Sequence, residues 1–212
     1  MSQTDPFPAS DFDPWAESYD KDVQSFKIFP FDGYKNVLKT VVDFAAPRVG
    51  MTVLDLGTGT GNLAAPFVEA GCEVWCTDFS EPMLDKARQK LPQAHFLLHD
   101  IRAEWPSELD RRFDRIVSAY VFHHLELDGK VNLCRELETN RLTPNGKLIV
   151  ADLSFPSEKS MRDFAESIGD LWEQEPYWLV DESIPALQKA NLKVEYVQVS
   201  KCAGVYVISR ST

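Results

Sequence analysis

Basic residues are scarce in this chain: lysine and arginine total 22 against 33 aspartates and glutamates, a net charge of −11 at neutral pH. A phosphate backbone is bound by neutralising it with Lys and Arg, so this balance argues against nucleic acid and anionic membrane as partners. Cysteine is scarce too. Cys72, Cys76, Cys134 and Cys202 make no CxxC pair and no Cys/His cluster of zinc spacing, and are expected as buried thiols in a reducing compartment. No window approaches the roughly 20 apolar residues that span a bilayer. The opening MSQTDPFPASDFDPW has neither the basic segment nor the apolar stretch of a signal peptide, so a cytoplasmic location is expected. There is no internal repeat and no low-complexity tract.

What remains is ordinary globular material. Forty-four per cent of the 212 residues are apolar and 26% charged, enough for one domain with its own core. Residues 1–14, with three prolines and three aspartates, are expected as a loose leader, and 15–212 as a single domain. Pro14 can start a helix that carries Trp15 and Tyr19 on one face, and a second helix is expected from about Tyr34 to Phe44. Strand-like and helix-like segments then alternate: TVLDLG, NLAAPFVEAG, CEVWCTD, SEPMLDKARQKL with Ser80 as N-cap, AHFLLHD, FDRIVSAY, KVNLCRELETNRL and GKLIVADLS. Apolar strands separated by helices predict a doubly wound α/β domain with a mostly parallel sheet covered on both faces. The helix DESIPALQKAN leads to KVEYVQVS and, across KCAG, to VYVISRS; so short a connection demands an antiparallel hairpin. Residues 154–180 are too long for a simple link and are expected as a lid-like insertion.

Glycine is also sparse, with ten in the chain, yet Gly57, Gly59 and Gly61 crowd five residues at the end of the first strand. Glycines at a strand-to-helix turn let the backbone approach a ligand and aim free amides at it. The dinucleotide fingerprint GxGxxG would need its third glycine where Asn62 stands, and no GxxxxGK[ST] loop exists. Asp55, two residues before the turn, disfavours a pyrophosphate and suits an ammonium or sulfonium. Asp78 follows Gly57 by 21 residues, the spacing at which an acid reaches ribose hydroxyls. At the third strand's end, Asp100 could accept from an exocyclic amine and Ile101 could pack on a base.

The set DLGTGTG, Asp78, Asp100, FDRIVSAYVFHHL and LTPNGKLIVAD resembles a class I S-adenosylmethionine-dependent methyltransferase. WAESYD together with AYVFHHL is similar to the YrrT-type bacterial methyltransferases. The resemblance covers roughly Trp15 to Arg210 and implies a Rossmann-like, seven-stranded sheet with an antiparallel last strand. It implies S-adenosylmethionine as cofactor and S-adenosylhomocysteine (SAH) as product. It implies that Gly57 and Gly59 lie against the methionine part, that Asp55 favours the ammonium, and that Ala119 offers a carbonyl to it. Asp78 would hold the ribose, Phe79 and Met83 would flank the adenine, Asp100 and Ile101 would meet it, and Tyr19 would close over the carboxylate and methyl.

For the methyl acceptor the candidates are His123, His124 and Tyr120, just past the fourth strand, as groups that could take a proton. Adjacent histidines on one bend cannot both face one site, so one is expected to be structural. His95 and His99 are expected as half-buried strand residues. Trp172, Tyr177 and Trp178, with Trp15 and Tyr19, could form an aromatic lid or could simply bury the insertion. The acids of ESYDKD and EQEP are expected as solvated faces. A small-molecule O, N or S acceptor is the leading expectation, with a monomer or homodimer and no metal. A noncatalytic cofactor-binding module and, behind it, a nicotinamide oxidoreductase are the alternatives. The lack of an [DN]PP[YF] signature, where SAYVF stands, argues against amino-methylation of DNA.

Overall fold

Strands that bury side chains on both faces can form only an interior sheet, and this chain has several: four successive residues of the first strand, Val53 to Leu56, are all buried. The structure, a computed structural model, describes residues 8–25 and 29–211. A short helix α1 (Ala9–Phe12) runs into a 3₁₀ turn (Asp13–Glu17) and α2 (Tyr19–Ser25), followed by α3 (Tyr34–Ala45). Then come β1 (Thr52–Leu56), α4 (Ala65–Glu69), β2 (Glu73–Asp78), α5 (Glu81–Lys90), β3 (His95–Leu98), β4 (Phe113–Ala119), α6 (Leu127–Glu136) and β5 (Leu142–Phe155). The remainder is α7 (Glu158–Ile168), β6 (Trp178–Leu179), α8 (Val180–Lys189), β7 (Leu192–Gln198) and β8 (Ala203–Arg210).

Seven strands lie in the order β3-β2-β1-β4-β5-β8-β7, parallel from β3 through β5, with β8 antiparallel to both β5 and β7. The two-residue β6 adds a parallel pair on Ser154 and Phe155. The architecture is the doubly wound, Rossmann-like sheet with an antiparallel last strand that the sequence predicts. Alternate residues serve opposite faces: Leu54, Ile116, Leu148, Val150 and Tyr206 pack with residues of α6 and α8, and Val53, Val117, Ile149 and Val205 pack with Val37, Val41 and Phe67 of α3 and α4. Each such fully buried aliphatic side chain contributes about 1.5–3 kcal/mol. The carboxyl ends of β1 to β5 converge on one edge, where open α/β sheets hold ligands.

Several expectations need correction. From Pro8 onward the supposed leader is helical and packed, because Phe12 finds Phe79 at 5.1 Å and Asp13 accepts a hydrogen bond from Ser80 Oγ at 2.6 Å; residues 1–7 lie outside the described residues. Asp20, in the ESYDKD stretch expected to face solvent, accepts from Thr60 Oγ1 at 2.5 Å and Asn62 Nδ2 at 3.0 Å and pairs with Lys90 at 2.5 Å. It ties α2 to the glycine turn. The helix expected at NLAAPFVEAG begins only at Ala65. Cys72 is half-buried rather than buried. Among the described residues no helix is long and apolar enough to cross a membrane.

Candidate functional site

A cavity of about 710 Å³ opens over the carboxyl ends of the strands, roofed by the amino-terminal segment and by residues 170–177. Twelve of the thirteen expected site residues line it: Tyr19, Gly57, Gly59, Asp78, Phe79, Met83, Asp100, Ile101, Ala119, Tyr120, His123 and His124. The exception is Asp55, which lies buried and 1% exposed beneath the turn.

The glycine end is made by backbone. Gly57 (φ +68°) and Gly59 (φ +55°) both adopt the left-handed region, for different reasons. A Cβ at Gly57 would run into Val121 Cγ2, whereas at Gly59 it would meet nothing within 4 Å, so Gly59 is the one that leaves room for a ligand. Its amide donates to Asp78 Oδ2 at 2.8 Å, and Ser80 N donates to Asp78 Oδ1 at 2.9 Å, which fixes that carboxylate at the cavity wall. Ser80 also caps α5, accepting from Met83 N at 3.4 Å. Burial pushes the Asp78 carboxyl up to about 6 despite those amides. Among the described residues neither carboxylate oxygen of Asp55 has a hydrogen-bond partner; burial, with the nearby charge of Asp78, pushes it up to about 7. A carboxyl so raised beneath an open glycine cradle gains its charge more readily when a cation sits above it than when a phosphate does, which fits an ammonium-bearing sulfonium nucleoside. Asp100 is gripped by Arg102, whose Nε and Nη2 reach its two oxygens at 2.6–3.0 Å, so a base amine approaching Asp100 would meet a neutral pair.

The other end is made by side chains. The strained Tyr120 (φ +60°) turns its ring onto Tyr34, stacked at 5.7 Å, and its buried hydroxyl has no hydrogen-bond partner among the described residues. His123 donates its backbone amide to Asp152 Oδ2 at 2.8 Å, and its Nδ1 lies 2.6 Å from Asp152 Oδ1. An ionised carboxylate only accepts, so Nδ1 carries the hydrogen, and Nε2 lies on the side of Glu175. Burial opposes charge on His123, but Asp152 outweighs it and raises the imidazole. Burial and the neighbouring His123 push His124 down to about 3, so it is neutral. Glu175 Oε2 lies 3.4 Å from His123 Nε2 and 3.7 Å from His124 Nδ1. Trp178 Nε1 donates to Asp152 at 3.2 Å.

Both histidines thus face the cavity, against the expectation that one would be structural; the 3₁₀ turn Phe122–His124 brings their rings to 4.1 Å. Trp178 belongs to the core, 0% exposed and 4.6 Å from the Tyr206 ring, while Trp15, Tyr19 and Tyr177 line the cavity and Trp172 packs on Phe29 at 5.4 Å. The lid and the packing alternatives therefore divide between residues. His99 is buried, lines the cavity and leaves Nε2 without a hydrogen bond among the described residues, unlike the exposed His95, which stacks on Trp75 at 4.4 Å. Sequence reasoning missed Asp152, Glu175, Arg102 and His99. Asp152 had a signal, since it is an acid in the carboxyl-terminal part of the apolar strand β5; Glu175, in the EQEP stretch expected to be solvated, had none.

A family model described as a methyltransferase domain matches residues 53–146. An uncharacterized methyltransferase of Geobacillus kaustophilus is 31% identical over 198 residues, covering 88% of this chain and 89% of that protein. Another, from Anoxybacillus flavithermus, is 34% identical over 193 residues, 84% of each. The solved magnesium protoporphyrin IX methyltransferase of Synechocystis PCC 6803, with bound SAH, has a TM-score of 0.71 at 17% identity, over 96% of this chain and 98% of that one, a likeness of fold.

Proposed function

We propose that this chain, which belongs to the class I S-adenosylmethionine-dependent methyltransferases, methylates a small molecule at an O, N or S atom held at the His123 end of its cavity. The observation that carries this reading is the roofed cavity of about 710 Å³ shared by the glycine turn and His123. Ligand pockets span about 300–1,000 Å³, so one that also takes a nucleoside cofactor leaves space for a small acceptor only. The net charge of −11 further disfavours nucleic acid.

When bound, the cofactor supplies an activated methyl: the acceptor's lone pair forms the new bond to carbon while the carbon–sulfur pair stays on sulfur, giving SAH. Gly57, Gly59 and Ala119 would border its methionine part above the field of Asp55, Asp78 would take the ribose, Phe79, Met83, Asp100 and Ile101 the base, and Tyr19 would close the roof. His123 Nε2 would hold the acceptor's proton, with Asp152 orienting the ring and stabilising its charged form. Tyr120 and His124 would shape the acceptor's seat. Trp15, Tyr19 and Phe31, packed with centroids 4.8–6.1 Å apart, would keep water out.

Calorimetric titration with SAH, followed by SAH release over a panel of thiols, phenols and amines, tests the reading. Saturable binding and turnover on a small acceptor are expected. Absence of SAH binding at millimolar ligand overturns the cofactor site; binding without turnover on any small acceptor overturns the acceptor class.

A further inference from the structure

We propose that His123 Nε2, His124 Nδ1 and Glu175 Oε2 form a binding site for a divalent transition-metal ion of the zinc type, open on the cavity side. Three donor atoms from two separate segments lie within 4.8 Å of one another. Tetrahedral zinc with bonds of about 2.0–2.1 Å sets its ligand atoms about 3.3 Å apart. The two distances from Glu175 Oε2, 3.4 Å to His123 and 3.7 Å to His124, are close to that edge, so a small inward movement of His124 completes the set.

The surroundings fit a ligand set better than a surface accident. Asp152 sits behind His123 with Nδ1 at 2.6 Å and is 0% exposed, the carboxylate–imidazole arrangement that fixes the tautomer of a metal-bound histidine and raises its basicity. Trp178 Nε1 and the amides of His123 and Leu153 hold that carboxylate in turn. Glu175 Oε2 is buried without a hydrogen bond among the described residues, so a carboxylate oxygen has been placed between imidazole nitrogens with nothing else satisfying it. Two carboxylates, Asp152 and Glu175, face one ammonium, Lys130, which donates to Pro176 O and lies 5.2 Å over the Trp178 ring. Two imidazoles and one carboxylate match zinc, iron(II) or manganese(II), and not calcium or magnesium, which take oxygen ligands.

Because all three ligands line the cavity, the remaining position points at the seat of the acceptor. Resting on the methyl-transfer reading, this narrows the acceptor to a thiol, hydroxyl or nitrogen compound that coordinates such an ion, the heteroatom losing its proton to solvent once coordinated. The ion would then occupy the lone pair that His123 otherwise turns to that proton.

The test is direct binding. Protein stripped with a chelator is titrated with Zn²⁺ by calorimetry and with Co²⁺ in the visible spectrum, SAH affinity being measured on the same samples. One equivalent of tightly bound Zn²⁺ and the intense d–d bands of tetrahedral Co²⁺ are expected. Glu175→Gln and His124→Ala should each weaken the ion by more than the roughly 10–100-fold that loss of a mere supporting residue costs, while His95→Ala, at the exposed histidine, should leave it unchanged. Folding of each variant is checked by its SAH affinity, which the site's loss should leave intact. If stripped protein binds SAH but takes up no equivalent of Zn²⁺, or if His95→Ala removes the Co²⁺ bands and His124→Ala does not, the metal site is overturned. If Zn²⁺ binds as expected but SAH does not, the cofactor reading fails and the ion stands.

Discussion

The two ends of the cavity are built on opposite plans. At the glycine end the working parts are backbone amides, left-handed turns, Asp55 of β1 and Asp78 at the end of β2, all within 28 residues of sequence between Thr52 and Phe79. At the His123 end the parts are side chains brought from three places: a 3₁₀ turn after β4, Asp152 within β5 and the segment before β6. A backbone site tolerates change in its side chains but not in its φ angles, and a side-chain site does the reverse. Substitutions at one end should therefore separate from those at the other in what they disturb.

The largest separation is expected at Asp152. Asp152→Ala removes a buried carboxylate that accepts from His123, Leu153 and Trp178, which costs about 3–5 kcal/mol of stability by denaturant unfolding. Asp152→Asn keeps the volume and should fold, bind SAH with unchanged affinity and lose most methyl transfer; a matching loss of SAH affinity would show that the two ends are one unit.

At the glycine end Asp55→Asn gives the next effect. A carboxyl raised from 3.8 to about 7 disfavours its charged form in the folded state. Its contribution without ligand is therefore absent below pH 4, grows unfavourable as pH rises to 7 and is full above that. Asp55→Asn should raise ligand-free stability at pH 8 by about 1–3 kcal/mol while weakening SAH. In the parent, SAH affinity should fall as pH drops from 8 to 5, because Asp55 and Asp78 take up protons; the variant should show a flatter profile in calorimetry. A parent profile that rises toward acid contradicts the role given to these acids.

Gly59→Ala should cost about 1–2 kcal/mol for a left-handed alanine, as none of the described residues blocks its Cβ. Its larger consequence is at least a tenfold weaker SAH, with the His123 end untouched. The smallest effect belongs to Asp20→Ala, which frees the roof helix from Thr60, Asn62 and Lys90. This partly exposed cluster contributes about 0–1 kcal/mol, so melting should hardly change; a several-fold faster SAH dissociation by stopped flow is the readout.

Legibility followed the same division. The alternation of apolar strands with helices, the terminal hairpin and the glycine turn were all readable, because each is a local pattern with its own period or turn chemistry. Asp78 was readable through its distance from Gly57. The packed stretch around Phe12 and Asp13 was read as a loose leader because its composition is polar and proline-rich, and composition carries no record of what a single aromatic ring will meet. Glu175 was read as solvent-facing for the same reason: four residues of EQEP have no periodicity, and only the course of the chain between α7 and β6 turns one acid inward.

The amino-acid sequence alone determined the sheet, its covering helices and the glycine turn that borders the cavity, since strand burial, helix capping and positive-φ glycines are settled by residues near one another in the chain. Tertiary structure alone decided that Asp152 stands behind His123 and Glu175 in front of it. Such a constellation depends on where separate loops come to rest over a finished core, and no spacing in the chain encodes that position.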